Sequence, residues 1–256
     1  MELLVEEKIA EPRAPKTPIA ETPAKKEKAV FTPEDYRFER KFFVADLTKR
    51  EILDLIRLHP ALFAEIYHER FVNNIYFDSR DFESYFAAMD GMAHRVKRRI
   101  RWYGDLLGHI DKPVLELKIK DGFVNRKEDH KLAPFALDEN YGFNTTAEVF
   151  KQSHLPEKLR EEMLALEPSL VNRYRRQYFM SANRQYRVTV DTDLEYYRIK
   201  PRDNTFLDRW FDRDNVIVEL KYANAEDRNA DLVSRRFPFR VTKSSKYCMG
   251  IERFYL

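Results

Sequence analysis

One stretch constrains the fold of this chain more than any other: residues 94–104 read His-Arg-Val-Lys-Arg-Arg-Ile-Arg-Trp-Tyr-Gly. A β-strand turns successive side chains to opposite faces. One face would then carry cations and a tyrosine, namely Arg95, Lys97, Arg99, Arg101 and Tyr103; the other would carry Val96, Arg98, Ile100 and Trp102. Cations on one face repel one another unless an anion lies between them or carboxylates of neighbouring strands interleave. The stretch therefore predicts a sheet with an unusually basic face.

Apolar and charged residues alternate in other segments too. Residues 115–120 read Leu-Glu-Leu-Lys-Ile-Lys, and residues 216–221 read Val-Ile-Val-Glu-Leu-Lys. Two interpretations are open. The sheet is an ordinary antiparallel one with its charged face in water, or the charged faces point into a closed barrel whose apolar outside is covered by helices. A single strand favours the first interpretation, while several strands with the same pattern make the second competitive.

The chain is expected to consist of a tail and one domain. Residues 1–33 are rich in Pro, Ala, Lys and Glu and predict a disordered tail, so the folded domain would span residues 34–256. Strands are predicted at 36–44, 71–77, 94–104, 115–120, 124–132, 172–180, 185–194 and 216–222. Helices are predicted at 46–58, 81–89, through most of 135–167 and at 224–235. No βαβ order is present, so the predicted class is α+β.

Composition excludes several classes of function. The net charge of +3 is too small to indicate nucleic-acid binding by itself. The single cysteine, Cys248, excludes an internal disulfide and a zinc site built from cysteines. No apolar run approaches the roughly 20 residues that cross a bilayer, and the N-terminus lacks a signal-peptide core. We therefore expect a cytoplasmic protein without a membrane span.

Candidate site residues lie on the alternating strands. Arginine suits the non-bridging oxygens of phosphates. Glu219 and Glu116 are the best metal candidates, because Mg²⁺ and Mn²⁺ bind through one or two carboxylates together with substrate phosphates. The alternative for each glutamate is a salt bridge to a neighbouring Lys or Arg. Lys243 and Lys246 flank two serines and form a weak candidate for a phosphate clamp. The histidines lack ligand spacing, and there is no Gly-rich phosphate loop.

Taken in order, these segments resemble a known family. They are Glu39-Arg40-Lys41-Phe42, Arg99-Ile100-Arg101-Trp102-Tyr103-Gly104, Leu115-Glu116-Leu117-Lys118, Arg176 with Arg187-Val188-Thr189-Val190-Asp191-Thr192, Val218-Glu219-Leu220-Lys221 and Lys243-Ser244-Ser245-Lys246-Tyr247. From about residue 34 onward the chain resembles the polyphosphate polymerase domain of the vacuolar transporter chaperone (VTC) family, within the triphosphate tunnel metalloenzymes. Residues 121–130 match only loosely, which leaves any role of Arg126 or Lys127 open.

The resemblance implies a closed antiparallel β-barrel, or tunnel, of about eight strands with a charged lumen and helices packed outside. Its implied phosphate-binding residues are Lys41, Arg99, Arg101, Lys118, Arg176, Arg187, Lys221, Lys243 and Lys246, of which the first seven would be catalytic. Glu219 would hold the metal ion, Mn²⁺ or Mg²⁺. The implied reaction transfers the terminal phosphoryl group of ATP to a growing inorganic polyphosphate chain.

Two other functions stay open. One is a metal-dependent triphosphatase or polyphosphatase on the same tunnel, and the other is a non-catalytic module that binds polyphosphate, nucleotide or RNA. The partners expected are ATP and inorganic polyphosphate, without nucleic acid, because Trp102 alternates away from the basic face instead of lying beside it for stacking. The sensing domain and membrane helices of the eukaryotic complexes have no counterpart here, so we do not expect coupling to transport.

Overall fold

The structure is a computed structural model that describes residues 37–122 and 124–256, apart from the side chains of Arg37, Val124 and Asn224. The predicted tail, residues 1–33, lies outside the described residues, and the domain boundary at residue 34 stays a prediction. Among the described residues, no helix combines the length and the apolar character needed to cross a membrane.

The described part of the chain has an α+β fold with a large antiparallel sheet, as predicted. The strands are β1 Arg37–Val44, β2 Ala64–Asp78, β3 His94–Tyr103, β4 Gly108–Ile110, β5 Val114–Asp121, β6 Val124–Lys131, β7 Phe135–Leu137, β8 Glu167–Met180, β9 Tyr186–Arg198, β10 Arg209–Asp212 and β11 Val216–Ala223. The helices are α1 Lys49–Arg57, α2 Glu83–Met89, α3 Phe143–Gln152, α4 Glu157–Leu164, α5 Asp227–Ser234 and α6 Lys246–Tyr255.

Eight strands follow one another by antiparallel pairing in the order β9, β11, β1, β6, β5, β3, β2 and β8, and β8 pairs again with β9. The short β10 pairs with β9 beyond the end of β11, and β4 with β7 forms a separate two-stranded sheet. One junction is weak: β1 meets β6 through a single residue pair, Arg37 with Asn125.

This junction corrects the prediction of a closed barrel, because the hydrogen-bonded ladder is not continuous there. The segment before α6 occupies the edge of β1 that β6 would otherwise use. Val241 forms a bridge with Phe42, the Thr242 amide donates to the Lys41 carbonyl (2.8 Å), and the Phe43 amide donates to Thr242 Oγ1 (2.9 Å). Main-chain groups of β1 are thus satisfied by residues 241–242 instead of by a neighbouring strand.

The apolar faces of the strands are covered by helices, as the second of the two interpretations predicts. On one side, α3 and α4 bury Phe150 and Met163 against the outer face of β2, β3, β5 and β8. On the other side, α1 packs Ile52 and Ile56 against β1, β9 and β11. Trp102 is buried in the first of these clusters, which confirms that it alternates away from the basic face. The charged faces of the same strands therefore look away from the helical layers.

Helix α6, with α2 beside it, packs on the inward side of the sheet instead of on its outer face. Its Tyr247, Cys248 and Ile251 are buried in a third apolar cluster with Tyr76 of β2 and Tyr174 of β8. The Tyr247 hydroxyl donates to Asp78 at the end of β2. The Ser245 side chain caps the helix by accepting from the Cys248 amide at 3.4 Å. The helix places its N-terminus, with Ser245 and Lys246, against the charged residues.

Several predicted boundaries are wrong in informative ways. Strand β2 begins at Ala64, not at residue 71, because its first residues are exposed on both faces and so lack the periodicity that marks a half-buried strand. Residues 135–167, predicted as mostly helical, contain β7 and two short helices separated by Ser153–Pro156. The capping box of α1 is confirmed, since Thr48 and Glu51 make both reciprocal hydrogen bonds, but the helix is shorter than predicted.

Candidate functional site

The charged faces of the strands form one concave surface. Evidence for its curvature comes from contacts that skip a strand. Arg101 of β3 donates to the Tyr174 hydroxyl of β8 at 3.1 Å, although β2 lies between these strands. Lys118 of β5 donates to Glu39 of β1 across β6. These contacts agree with the strand order, in which β8 pairs back with β9, so the strands curl around a shared charged interior, which we call the charged face.

Glu219 of β11 lies at the centre of the first group on this face. Its carboxylate contacts Lys221 Nζ at 2.7 Å, Lys41 Nζ at 3.3 Å and Arg176 Nη2 at 3.5 Å. All three are predicted phosphate-binding residues. Burial of Glu219 opposes its ionisation, but these cations together with Lys246 outweigh the burial and lower its pKa. Glu219 is therefore ionised and surrounded by cations.

Glu39 on β1 extends this group. Burial and the Glu219 charge both oppose its ionisation, yet Lys118, Lys41 and Lys221 lower the pKa of Glu39 to about 2. The carboxylate lies 3.8 Å from Lys221 Nζ and contacts Lys118 directly. The alternation of Glu39 with Lys41 on one strand thus places a carboxylate between lysines of two other strands.

A second group centres on Asp191 of β9, which is fully buried. Arg176 holds it with two parallel hydrogen bonds, from Nε to Oδ1 at 2.5 Å and from Nη2 to Oδ2 at 2.6 Å. Lys246 at the start of α6 donates to the same carboxylate. Although burial opposes ionisation, Arg176 and Lys246 lower the pKa of Asp191. The contact of Lys246 with Asp191 thus holds the N-terminus of α6 against the charged face.

A third group surrounds Glu116 of β5. Arg99 contacts its carboxylate at 2.7 Å, Lys127 of β6 at 2.7 Å and Arg101 at 3.3 Å. Arg101 is also fixed by Asn74 Oδ1, to which its Nε donates at 2.9 Å. Burial raises the pKa of Glu116, but the three cations outweigh this effect and lower the pKa below its ordinary value. Glu116 thereby orients Arg99 and Arg101, which both belong to the basic stretch of residues 94–104.

The other predicted residues lie around these groups. Arg187 of β9 faces Lys221 in the strand register. Lys243, in contrast, is exposed in the segment before α6. The pKa of Lys120 is lowered first by its burial and then by the charges of Arg95 and Lys243. The structure thus brings Lys41, Arg99, Arg101, Lys118, Arg176, Lys221 and Lys246 into contact with carboxylates of the charged face and leaves Lys243 at its edge.

Sequence reasoning left Lys97 out of the candidate site, although it placed the residue on the basic face of β3. Its ammonium donates to Ser245 Oγ at 2.7 Å, beside the N-terminus of α6. Burial lowers the pKa of Lys97 to about 8, and the charges of Lys41, Lys118 and Arg95 act in the same direction. The sequence left any role of Lys127 open, and Asp191 and Tyr174 were not among the candidate site residues; their positions on inward faces were the available signal.

The described residues supply only part of the ligands that a divalent ion needs. Among the described residues, there is no group of three or more His, Cys, Asp and Glu side chains that could hold a metal ion by itself. However, Thr189 lies opposite Glu219 in the strand register, and its buried hydroxyl has no hydrogen-bond partner within the part of the chain that the structure describes. A glutamate and an unsatisfied oxygen fit an ion that completes its coordination with phosphates and water.

The arrangement is suited chemically to an extended anion. Cations outnumber carboxylates in the three groups and beside Ser245, and most of these side chains are held by hydrogen bonds before any ligand binds. Fixed donors of this kind stabilise negative charge without reorganisation at the moment of reaction. Ser244 adds a buried hydroxyl with no partner among the described residues, and its carbonyl accepts from Lys41 Nζ at 3.3 Å.

Comparison with known proteins gives a family-level match. The family model described as VTC domain matches residues 36–255. No curated protein matches the chain. The solved structures that align with it include HpAC1 of Hippeastrum, described as a candidate adenylyl cyclase with a dominant triphosphatase activity (TM-score 0.48, 12% identity, covering 86% of this chain and 97% of that chain).

Two further structures align over a similar length. A candidate adenylate cyclase of Vibrio parahaemolyticus has a TM-score of 0.48 and 10% identity, covering 84% of this chain and 98% of that chain. The PH1819 protein of Pyrococcus horikoshii OT3 has a TM-score of 0.46 and 11% identity, covering 85% and 99%.

Proposed function

This chain belongs to the VTC domain family, and we propose that it transfers the terminal phosphoryl group of ATP to a growing inorganic polyphosphate chain. Family membership supports a function on triphosphate or polyphosphate. The observation that carries the proposal is the charged face itself, on which strands that are not neighbours hold cations around buried carboxylates. We further propose that the curved strands, together with residues 241–242 at the junction of β1 and β6, enclose a tunnel in which the phosphate chain lies.

Cations of the charged face would bind successive phosphates. Arg99 and Arg101 are held by Glu116 and Arg176 by Asp191, so their guanidinium groups are fixed in place. Lys41, Lys118, Arg187 and Lys221 would complete the set that acts in catalysis, and Lys243 and Lys246 would bind phosphates near α6. A fixed guanidinium loses less freedom on binding a phosphate than a flexible one, which favours pre-organised binding.

Glu219 and Glu116 are the proposed metal ligands, and Mn²⁺ or Mg²⁺ the proposed ion. Cations surround both glutamates, but the Thr189 hydroxyl, which has no partner among the described residues, lies opposite Glu219 and favours it as the ligand. A bound divalent ion would neutralise charge on the phosphate oxygens. The protein residues would supply the remaining neutralisation and hold the donor and acceptor phosphates in line.

Phosphoryl transfer depends on positioning and electrostatic stabilisation more than on a protein nucleophile. The acceptor would be an oxygen of the polyphosphate end or of free phosphate. It forms a new P–O bond to the γ-phosphorus as the bond to the β–γ bridging oxygen breaks, and ADP leaves with that oxygen. The cations of the charged face stabilise the charge that develops on the leaving oxygen of ADP and the charge spread over the oxygens of the transferred phosphoryl group. No step requires a cysteine, serine or histidine of the chain.

A direct assay separates this reaction from hydrolysis and from simple binding. The purified chain is incubated with ATP and Mn²⁺ or Mg²⁺, and long-chain polyphosphate and free phosphate are both measured. Glu219→Gln and Lys221→Ala are run beside Glu161→Gln, a control at an exposed position of α4. Polymer from the wild type and the control but from neither site variant supports the proposal. Free phosphate without polymer means a triphosphatase, and neither product with either metal means a binding module.

A further inference from the structure

Three adjacent strands carry aromatic residues beyond the phosphate-binding cations, at the end of the charged face away from Ser245. Tyr103 follows Arg101 on the inward face of β3, and Tyr178 follows Arg176 on that of β8. Between these strands lies β2, whose Arg70 is opposite Arg176 in the register. Because a strand advances about 3.4 Å per residue, Tyr103 is roughly 20 Å from Lys97 at the other end of β3.

Arg70 gathers the tyrosines into one platform. Its guanidinium carbon lies 4.3 Å from the ring centroid of Tyr103, 4.9 Å from that of Tyr178 and 5.6 Å from that of Tyr67. Tyr67 and Tyr178 also meet edge to face, with centroids 5.7 Å apart. These distances are within the range of cation–π contacts. We call these four residues the tyrosine platform.

Two observations indicate that the platform binds something. Tyr103 and Tyr67 remain 49% and 56% exposed, so large aromatic surfaces face solvent at the margin of a basic cleft. The Arg70 Nε is buried and has no hydrogen-bond partner within the described part of the chain. A buried unsatisfied donor costs free energy unless a ligand or water completes it. The platform is also continuous with the phosphate-binding cations, because Arg176 lies 6.0 Å from the Tyr178 ring centroid.

We propose that the tyrosine platform binds the nucleobase of the nucleoside triphosphate whose phosphates occupy the charged face. A planar base can stack on the exposed ring of Tyr103, and an arginine beside the ring adds a cation–π contribution. This inference rests on the proposed function, since it assigns the other end of the same substrate. Stacking accepts any base, so the platform would distinguish nucleotides from inorganic phosphate chains more than one nucleotide from another.

The test compares two ligands that share phosphates and differ in the base. ATP and inorganic tripolyphosphate, each with Mg²⁺, are titrated calorimetrically against the full chain and against Tyr103→Ala and Tyr103→Phe. Phe86→Ala of α2 is the matched control, because Phe86 is 48% exposed and so nearly equals Tyr103 in exposure. Thermal melting of each variant verifies that it is folded.

We expect Tyr103→Ala to weaken ATP binding about tenfold while tripolyphosphate binding stays within a factor of two, since stacking on one ring contributes on this order. Tyr103→Phe keeps the ring and should bind both ligands like the wild type, as should Phe86→Ala. Equal losses for both ligands, or no loss for either, would overturn the platform while leaving the phosphate site intact. A wild-type chain that binds neither ligand would overturn the proposed function, and this inference with it.

Discussion

Asp191→Asn provides the strongest test of how the charged face is held together. Asp191 is fully buried and binds Arg176 through two hydrogen bonds of 2.5 and 2.6 Å, while Lys246 donates to the same carboxylate. Asparagine has nearly the same volume but no charge. The substitution therefore leaves packing unchanged and leaves two buried cations with Glu219 as their remaining carboxylate.

The expected cost follows from the burial of these groups. Removing one partner of a buried ion pair typically costs about 3–5 kcal/mol, because the remaining charge keeps its desolvation penalty. For a chain of this size, each kcal/mol corresponds to a decrease of about 2–4 °C in the melting temperature, so Asp191→Asn should lower it by about 6–20 °C. Asp208→Asn is the control, since Asp208 pairs with Arg198 at 3.7 Å with both side chains 40% exposed. Such pairs contribute about 0–1 kcal/mol.

Unfolding by urea and by heat, each with and without tripolyphosphate, measures the loss of stability and the extent to which a bound anion restores it. A bound anion replaces the lost carboxylate beside Arg176 and Lys246, so the rise in melting temperature on adding tripolyphosphate should be larger in Asp191→Asn than in the wild type. A loss of stability below about 1 kcal/mol, or equal rises in the two proteins, would refute the claim that this carboxylate neutralises cations that bind phosphate.

Three other predictions follow from single contacts. Gly250→Ala would place a Cβ 2.3 Å from Leu170 Cδ2, so we expect a loss of about 1–3 kcal/mol in urea unfolding, and an unchanged midpoint would contradict the close packing of α6. Burial lowers the pKa of Lys97 to about 8, so its charge is lost as pH rises through that value. The affinity for tripolyphosphate should therefore fall between pH 7 and 9 in the wild type and fall less in Lys97→Arg. Identical pH profiles of the two proteins would show that Lys97 does not contribute to phosphate binding. Glu116→Gln should reduce turnover with ATP at least tenfold because Arg99 loses its 2.7 Å partner, whereas turnover equal to that of Glu161→Gln would show that this orientation is unimportant.

The sequence determined the local features of the site. Side chains of a strand alternate with a period of two residues regardless of the partners of that strand, so the residues that share a face with Arg99 and Arg101 could be predicted without a structure. For the same reason, Trp102 was correctly placed on the opposite face. The capping box of Thr48 and Glu51 was predictable because both of its hydrogen bonds join residues three positions apart. The family was recognisable because the short segments that carry the resemblance, from residues 39–42 to residues 243–247, occur in a fixed order along the chain.

The tertiary structure decided which charges meet. Lys118 contacts Glu39 and Arg176 contacts Glu219 across intervening strands, and the register and curvature of the whole sheet determine such pairs. The low pKa of Lys97 arises from burial and from lysines of other strands, and no local pattern encodes either cause. The break at the junction of β1 and β6 is likewise non-local, because Thr242 takes the edge of β1 from about 200 residues away. Local geometry thus identified the basic strands, and long-range packing determined how their charges are paired.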